Sequence, residues 1–184
     1  MDTKIVLKKT TIEGVYLGEI NHFQDHRGKF MRLYDYEEIS KKLNQPIVEV
    51  NLSQNNFKGT VRGLHFENTE TKSFKIIRCI KGMAVDKVVD IRKSSKTFLS
   101  HESFVLDEKD NQLLFIPNKV AHGFQTQMDD THLLYMHTMG YDLTIEGGLN
   151  ISDPMLNINW EIQITQMSKR DKDFNYLKQN FDGI

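Results

Sequence analysis

Residues Lys75–Ile91, KIIRCIKGMAVDKVVDI, decide which fold this chain can adopt. The stretch divides into two apolar runs, Lys75–Ile80 and Met83–Ile91, with a turn at Lys81-Gly82 between them. Isoleucine and valine dominate both runs, and β-branched side chains favour strands over helices. Each run therefore predicts a strand.

Similar runs follow along the chain, and polar turns separate them at intervals of about 8–12 residues. Short strands at this spacing are typical of a β-sandwich or barrel. The further predicted strands are His101–Leu106, Leu113–Ile116, Val120–Gln127 and His132–Thr138.

Helix signals are few. Asp35 is a candidate N-cap for a helix over Tyr36–Leu43, and Glu38, three residues on, completes a capping-box pattern. Ser168 with Asp171 forms a second such pattern, which predicts a charged helix from about residue 169 toward Phe181. The expected fold class is therefore all-β with a few short flanking helices.

Bulk composition indicates one domain over residues 1–184. Hydrophobic residues make up 39% and charged residues 27% of the chain, as in ordinary soluble proteins. Lys plus Arg total 24 against 25 for Asp plus Glu, so a nucleic-acid partner is not expected. No apolar run approaches the ~20 residues of a membrane span. The single cysteine, Cys79, excludes an internal disulfide and favours a buried thiol in the cytoplasm.

The segment Gly59–Glu67, GTVRGLHFE, carries the strongest functional signal. Arg62 and His65 lie three residues apart, so a regular strand would point them to opposite faces. Gly63 between them allows a ligand or another strand to approach the backbone closely. A cation beside an imidazole suits an anionic substrate that needs proton transfer, but a histidine in a strand is more often structural.

Other polar residues can be interpreted either as functional or as ordinary structural residues. Lys75 and Arg27 fit an anion site or a solvated edge, and Tyr135 fits an acid or a core tyrosine. A set of two histidines and carboxylates could hold a metal, although the pair of closely spaced histidines that metal-binding cupins carry is incomplete. The members of that set are His65, Glu67, Glu70 and His122.

Taken in order, several motifs resemble the nucleotide-sugar 3,5-epimerases, over roughly residues 15–171. The motifs are Arg62-Gly63-Leu64-His65, Lys75, Val89–Ser95, Ile116-Pro117, Ala121–Phe124, Tyr135, Tyr141, Asp153-Pro154 and Ile158–Trp160. The resemblance implies a cupin jelly-roll sandwich, a homodimer to which the N-terminal strands contribute, and no metal or organic cofactor. It implies an isomerase whose substrate is a nucleoside-diphosphate 4-keto-6-deoxy sugar.

The resemblance also assigns roles. His65 is implied as the base and Asp171 as the carboxylate that orients it, a role that competes with the interpretation of Asp171 as part of the capping pattern. Tyr135 is implied as the acid on the other face of the sugar, and Lys75 as the cation near the enolate. Irregular geometry is expected at Gly63, because a regular strand would turn Arg62 away from the substrate. The implied substrate-binding residues are Arg27, Arg32, Glu49, Asn51, Arg62, His122, Tyr141, Glu146 and Arg170.

Three positions depart from the family pattern. Arg32 stands where a glutamate is frequent, Glu49-Val50-Asn51 replaces a Gln-x-Asn motif that reads the base, and Glu67 replaces a glutamine. These changes leave GDP- and CDP-linked sugars open beside dTDP-linked ones. They also leave open whether C3, C5 or both carbons are inverted.

Three other functions stay open on the sequence. A sugar-nucleotide 3,4-ketoisomerase would move the carbonyl and would need a second base in place of an acidic tyrosine. A non-catalytic cupin would bind a sugar nucleotide without using His65. A metal-dependent cupin enzyme would need the incomplete histidine and carboxylate set to bind a metal.

Overall fold

Strands dominate the computed structural model, which describes residues 5–184. All six predicted strands are present, with ends shifted by at most one residue. The strands are β1 Ile5–Lys9, β2 Tyr16–Ile20, β3 His22–Asp25, β4 Gly28–Met31, β5 Glu49–Asn55, β6 Val61–Glu67, β7 Phe74–Lys81, β8 Met83–Asp90, β9 His101–Asp107, β10 Gln112–Pro117, β11 Val120–Thr126, β12 Thr131–His137 and β13 Glu146–Gly148.

Two antiparallel sheets face each other. One has six strands in the order β1-β2-β10-β7-β12-β5, and the other has five in the order β13-β6-β11-β8-β9. Strands β7 and β8, which follow each other in Lys75–Ile91, belong to different sheets, so the turn at Gly82 is a corner between them. Two facing antiparallel sheets that the chain crosses repeatedly form the double-sheet architecture of a jelly roll. The prediction of an all-β cupin jelly roll is confirmed.

Apolar side chains fill three layers. Ile77, Val88 and Phe124 belong to the cluster between the sheets. The helical segment near residue 40 covers the outer face of the six-stranded sheet, where Ile39 packs among Ile76 and its neighbours. The chain after β13 covers the outer face of the five-stranded sheet. Because both sheets are covered on both faces, their central strands are buried almost throughout.

The first helical segment follows the prediction, with one difference. Asp35 accepts hydrogen bonds from the backbone N–H groups of Glu37 and Glu38, as an N-cap does. A π-helical turn, Tyr36–Ser40, then continues into α1, Lys41–Leu43. The Glu38 carboxylate does not return to Asp35, because it accepts a 2.8 Å hydrogen bond from the Ile5 N–H and pairs with a lysine.

The second predicted helix is much shorter than expected. Helix α2 covers Lys169–Lys172 and ends at Asp173, so the prediction of a helix reaching Phe181 is wrong. Phe181 packs in irregular conformation against the outer face of the five-stranded sheet, and this contact replaces helical hydrogen bonding. Within residues 5–184, no helix has the length and apolar character that crossing a bilayer requires.

Candidate active site

A bulge in β6 brings Arg62 and His65 to the same side of the strand. His65 pairs with His122 of β11 and Arg62 pairs with Phe124, so three steps along β6 face two along β11. Gly63 adopts φ +126°, and a Cβ there would lie 2.5 Å from the β11 backbone. One extra residue reverses the side to which following side chains point. The expected irregularity at Gly63 is confirmed.

Both side chains enter a cleft of about 270 Å³ between the two sheets. The cleft gathers most of the residues that the sequence singled out, from strands far apart in the chain. The residues of that set that line it are Glu49, Asn51, Arg62, His65, Glu67, Lys75, His122, Tyr135, Tyr141 and Glu146.

His65 forms a close pair with Asp171 of α2. His65 Nε2 lies 2.9 Å from Asp171 Oδ1, and the Asp171 side chain is only 4% exposed. Burial raises the pKa of Asp171, but the hydrogen bond and charge of His65 outweigh that effect and lower the pKa below its ordinary value. Ser168 Oγ accepts the Asp171 N–H at 3.0 Å, so the cap and the His65 pair coexist. A carboxylate held this way orients an imidazole for proton transfer.

Tyr135 and Lys75 approach from the facing sheet, on β12 and β7. Burial raises the pKa of Tyr135 well above its ordinary value, with a further contribution from Asp86. Burial lowers the pKa of Lys75, although nearby carboxylates oppose the shift. A phenol that keeps its proton faces the His65 wall across the cleft, and the Lys75 side chain lines the same cleft.

A second histidine–carboxyl pair lies deeper in the cleft, and sequence reasoning missed one of its members. Asp86 of β8 is fully buried, and both of its carboxyl oxygens lie 3.3 Å from His122 Nδ1. Burial raises the pKa of Asp86, whereas burial and then Lys75 lower the pKa of His122. With Asp86 on Nδ1, Nε2 is the His122 nitrogen left to bond a ligand in the cleft.

His137 and Glu67 add polar groups beside Lys75. The His137 ring stacks near Tyr135, at 6.2 Å between centroids and 20° between planes. Burial, followed by Lys75, lowers the pKa of His137. Glu67 Oε2 accepts a 2.7 Å hydrogen bond from Ser73 Oγ. The two-residue spacing of Tyr135 and His137 on β12 is the sequence signal that could have identified His137.

The open end of the cleft carries a second hydrogen-bonded group. Glu146 Oε2 accepts from the Tyr141 hydroxyl at 2.9 Å and from Arg170 Nη2 at 2.8 Å. The Glu49 carboxylate accepts from Asn51 Nδ2 at 2.6 Å and from the Tyr141 N–H at 2.9 Å. Since Tyr141 is 63% exposed, its ring offers a free face at the mouth.

Arg62 is held at the same mouth by a residue that the sequence did not indicate. Its Nε donates a 2.8 Å hydrogen bond to Oδ1 of Asn55, which is buried at the end of β5. The guanidinium itself stays accessible in the cleft lining. A fixed and accessible guanidinium suits a diphosphate.

Arg27 and Arg32 are not brought to the cleft within one chain. Arg27 lies at the tip of the exposed β3–β4 hairpin and pairs with Asp25 at 2.6 Å. Arg32 follows the hairpin and pairs with Asp35 at 2.5 Å. Neither arginine lines the cleft. Their implied roles in substrate binding stay predictions.

The possible metal set is also not assembled in the described part of the chain. Residues 5–184 contain no group of three or more His, Cys, Asp or Glu side chains arranged to hold an ion. Glu70 is 94% exposed and pairs with Lys119 at the surface. The His65 nitrogen Nε2 is occupied by Asp171.

A jelly roll whose cleft sets a His–Asp pair opposite a tyrosine can exchange protons with both faces of a bound molecule. Residues 9–179 match the family model described as dTDP-4-dehydrorhamnose 3,5-epimerase. The chain belongs to this family of enzymes. It is 34% identical over 172 residues to dTDP-4-dehydrorhamnose 3,5-epimerase of Shigella flexneri, covering 92% of this chain and 93% of the relative.

A Streptomyces niveus dTDP-4-dehydrorhamnose 3-epimerase is 31% identical, covering 96% of this chain and 86% of that protein. Solved structures of 3,5-epimerases have a similar fold. The Bacillus anthracis 3,5-epimerase with TDP and pyrophosphate bound has a TM-score of 0.87 at 28% identity, covering 94% of this chain and 99% of that one. A Legionella pneumophila epimerase in complex with dTDP-4-keto-L-rhamnose has a TM-score of 0.83 at 28% identity, covering 91% and 89%.

Proposed function

We propose that this chain epimerises a nucleoside-diphosphate 4-keto-6-deoxy sugar at C3, C5 or both, with dTDP as the first candidate nucleotide. The observation that carries the proposal is the position of the His65–Asp171 pair on one wall of the cleft and Tyr135 on the other. Inversion of a carbon needs a base on one face of the ring and an acid on the opposite face. The relatives that act on dTDP sugars support the nucleotide.

The reaction would run through an enolate. The C4 ketone acidifies the neighbouring C–H bonds, and His65 removes one of these protons while Asp171 stabilises the resulting imidazolium. Negative charge then develops on the C4 oxygen, where Lys75 and the His122 N–H can stabilise it. Tyr135 returns a proton from the other face. Its raised pKa keeps the phenol protonated in the resting enzyme.

The mouth of the cleft would hold the nucleotide. The fixed guanidinium of Arg62 fits the diphosphate, and the exposed Tyr141 ring fits a stacked base. Glu49 favours a second candidate, a GDP-linked sugar. Hydrogen bonding from Asn51 lowers the pKa of Glu49, so its carboxylate is charged and can accept the adjacent N1–H and N2–H of guanine.

A nucleotide series separates these candidates. Calorimetric titration of the protein with dTDP, GDP and CDP should rank dTDP first, and Glu49→Gln should then leave that order unchanged. If GDP binds tightest and Glu49→Gln abolishes its advantage, the sugar is GDP-linked. If CDP binds tightest, both candidates are wrong.

We further propose a homodimer in which the β3–β4 hairpin contacts a second copy and Arg27 reaches that copy's cleft. Phe23 and Phe30 on this hairpin are 63% and 62% exposed, and two such rings are unusual on a free surface. Light scattering tests the dimer. Mixing Arg27→Ala with His65→Ala should restore part of the activity if each site takes Arg27 from its partner.

The decisive test of the function is incubation with a dTDP-linked 4-keto-6-deoxy sugar in deuterated water. We expect deuterium at C3, C5 or both and inverted product, with neither in His65→Ala. A product with its carbonyl at C3 would identify a 3,4-ketoisomerase. Nucleotide binding without exchange, unchanged in His65→Ala, would identify a binding protein and refute the proposal.

A further inference from the structure

Phe174, just after α2, packs against His65 from outside the cleft. The two ring centroids are 5.9 Å apart and the rings are inclined by 77°, an edge-to-face contact. Phe174 does not line the cleft, so it cannot contact a substrate there. Its contact with the active site is made through the imidazole.

Gly148 provides the room that this contact needs. It pairs with His65 across the β13–β6 ladder, and a Cβ on Gly148 would lie 2.1 Å from Cζ of Phe174. Asn150 Nδ2 donates a 2.8 Å hydrogen bond to the Phe174 carbonyl and fixes the backbone on that side. The ring therefore has a defined site, and an alanine at 148 would displace it.

Phe174 is covered by Arg170 on the side of the His65–Asp171 pair that the C-terminal segment occupies. The guanidinium of Arg170 lies 5.7 Å from the Phe174 ring centre, and Arg170 is itself tied to Glu146. Asp171, the partner of His65, is itself only 4% exposed. Exclusion of water strengthens the interaction between a carboxylate and the imidazolium that forms during proton transfer.

We propose that Phe174 is a positioning residue for His65. It holds the imidazole in the plane in which Nε2 faces Asp171 and the other ring nitrogen faces the cleft. The inference rests on the proposed role of His65 as the base. It adds a residue that acts through the base without touching the substrate.

The test uses Phe174→Leu, Gly148→Ala and the double variant that combines these two changes. Each is compared with Phe181→Leu as the control. Phe181 is a matched control, because it is an aromatic residue of the same C-terminal segment that packs on Phe98 and not on His65. We expect kcat for deuterium exchange to fall about tenfold in each single variant while KM changes less than about twofold. The double variant should be no slower than the slower single variant, since both changes remove the same contact.

A readout independent of turnover comes from nitrogen NMR of the His65 ring. The proton shared with Asp171 should exchange with solvent faster in Phe174→Leu and Gly148→Ala than in wild type or Phe181→Leu. Rates and proton exchange equal to those of the control, or additive effects in the double variant, would overturn the proposal. If wild type catalyses no exchange at C3 or C5, the function is wrong, and the NMR comparison still decides the positioning role.

Discussion

Asp171→Asn is the sharpest perturbation of the proposed base. The amide has nearly the same shape as the carboxylate, and its oxygen can still accept a hydrogen bond at the 2.9 Å position of His65 Nε2. The substitution therefore removes the negative charge and keeps the shape of the side chain, but its NH2 group replaces Oδ2, which accepts the Gly63 N–H at 3.2 Å. It acts on the imidazolium that exists after His65 has taken a proton.

The expected loss follows from the geometry of the pair. A hydrogen bond to a charged group contributes about 1.5–3 kcal/mol and one between neutral groups about 0.5–1.5 kcal/mol, so the difference is roughly 1–2 kcal/mol. Solvent screening is weak, because Asp171 is 4% exposed. Since about 1.4 kcal/mol corresponds to a tenfold change in rate, deuterium exchange should slow about 5- to 30-fold.

The assay follows deuterium incorporation at C3 and C5 by proton NMR under saturating substrate. Asp173→Asn is the matched control, because Asp173 lies two residues away and pairs with Lys169 on the exposed side. Thermal unfolding of both variants checks that the protein measured is folded. An exchange rate in Asp171→Asn equal to that of Asp173→Asn would refute the role of the pair in proton abstraction.

Three further predictions follow from the same site. Tyr135→Phe should still exchange deuterium, but the yield of inverted product should fall at least about tenfold, because the acid on the opposite face is missing. Chromatography of the products measures the yield, and full inversion would contradict the prediction. Burial holds the pKa of His122 below its ordinary value, so protonation favours the unfolded chain, and the free energy of unfolding should decrease as pH falls below about 6.5. In urea titrations, His122→Gln should be less sensitive to acid than wild type, and an equal sensitivity would count against the assignment. Gly63→Ala should lower the free energy of unfolding by several kcal/mol more than Gly28→Ala. Both glycines have a similar positive φ, but only Gly63 is crowded by the backbone of a neighbouring strand. Similar unfolding midpoints in the two variants would show that this close approach is unimportant.

The strands could be predicted from sequence because β-branched runs and turn residues mark them locally. Their pairing could not. The runs on either side of Gly82 look like a hairpin, yet β7 pairs with β10 and β12 while β8 pairs with β9 and β11. Both sheets are covered on both faces, so alternation of polar and apolar residues does not reveal which sheet a strand joins.

Asp86 shows the same limit at the level of a single side chain. It lies beside Lys87 in β8, and both are buried on opposite faces of the sheet. Asp86 points between the sheets toward His122, whereas Lys87 faces outward and pairs with Glu161. A sequence with two adjacent charges in a buried strand indicates that one points inward, but the choice depends on register with β11.

The Ser168–Asp171 pattern had two competing interpretations, and the geometry satisfies both. Capping uses the Asp171 backbone N–H and the Ser168 hydroxyl, which leaves the Asp171 carboxylate free to turn toward β6. The helix is only four residues long, and it places that carboxylate beside His65. After the helix ends, the Phe174 ring packs on His65.

The bulge in β6 and the His65–Asp171 pair depend on each other through one carboxylate. An extra residue in a strand leaves a backbone group without its ladder partner, and a buried N–H without a partner is destabilising. Here the Gly63 N–H donates to Asp171 Oδ2 at 3.2 Å, while Oδ1 of the same group binds His65. The irregularity that turns Arg62 toward the cleft is therefore satisfied by the residue that orients His65, the proposed base. Because both contacts share one side chain, a change at Asp171 should disturb the diphosphate end and the proton-transfer end of the cleft together.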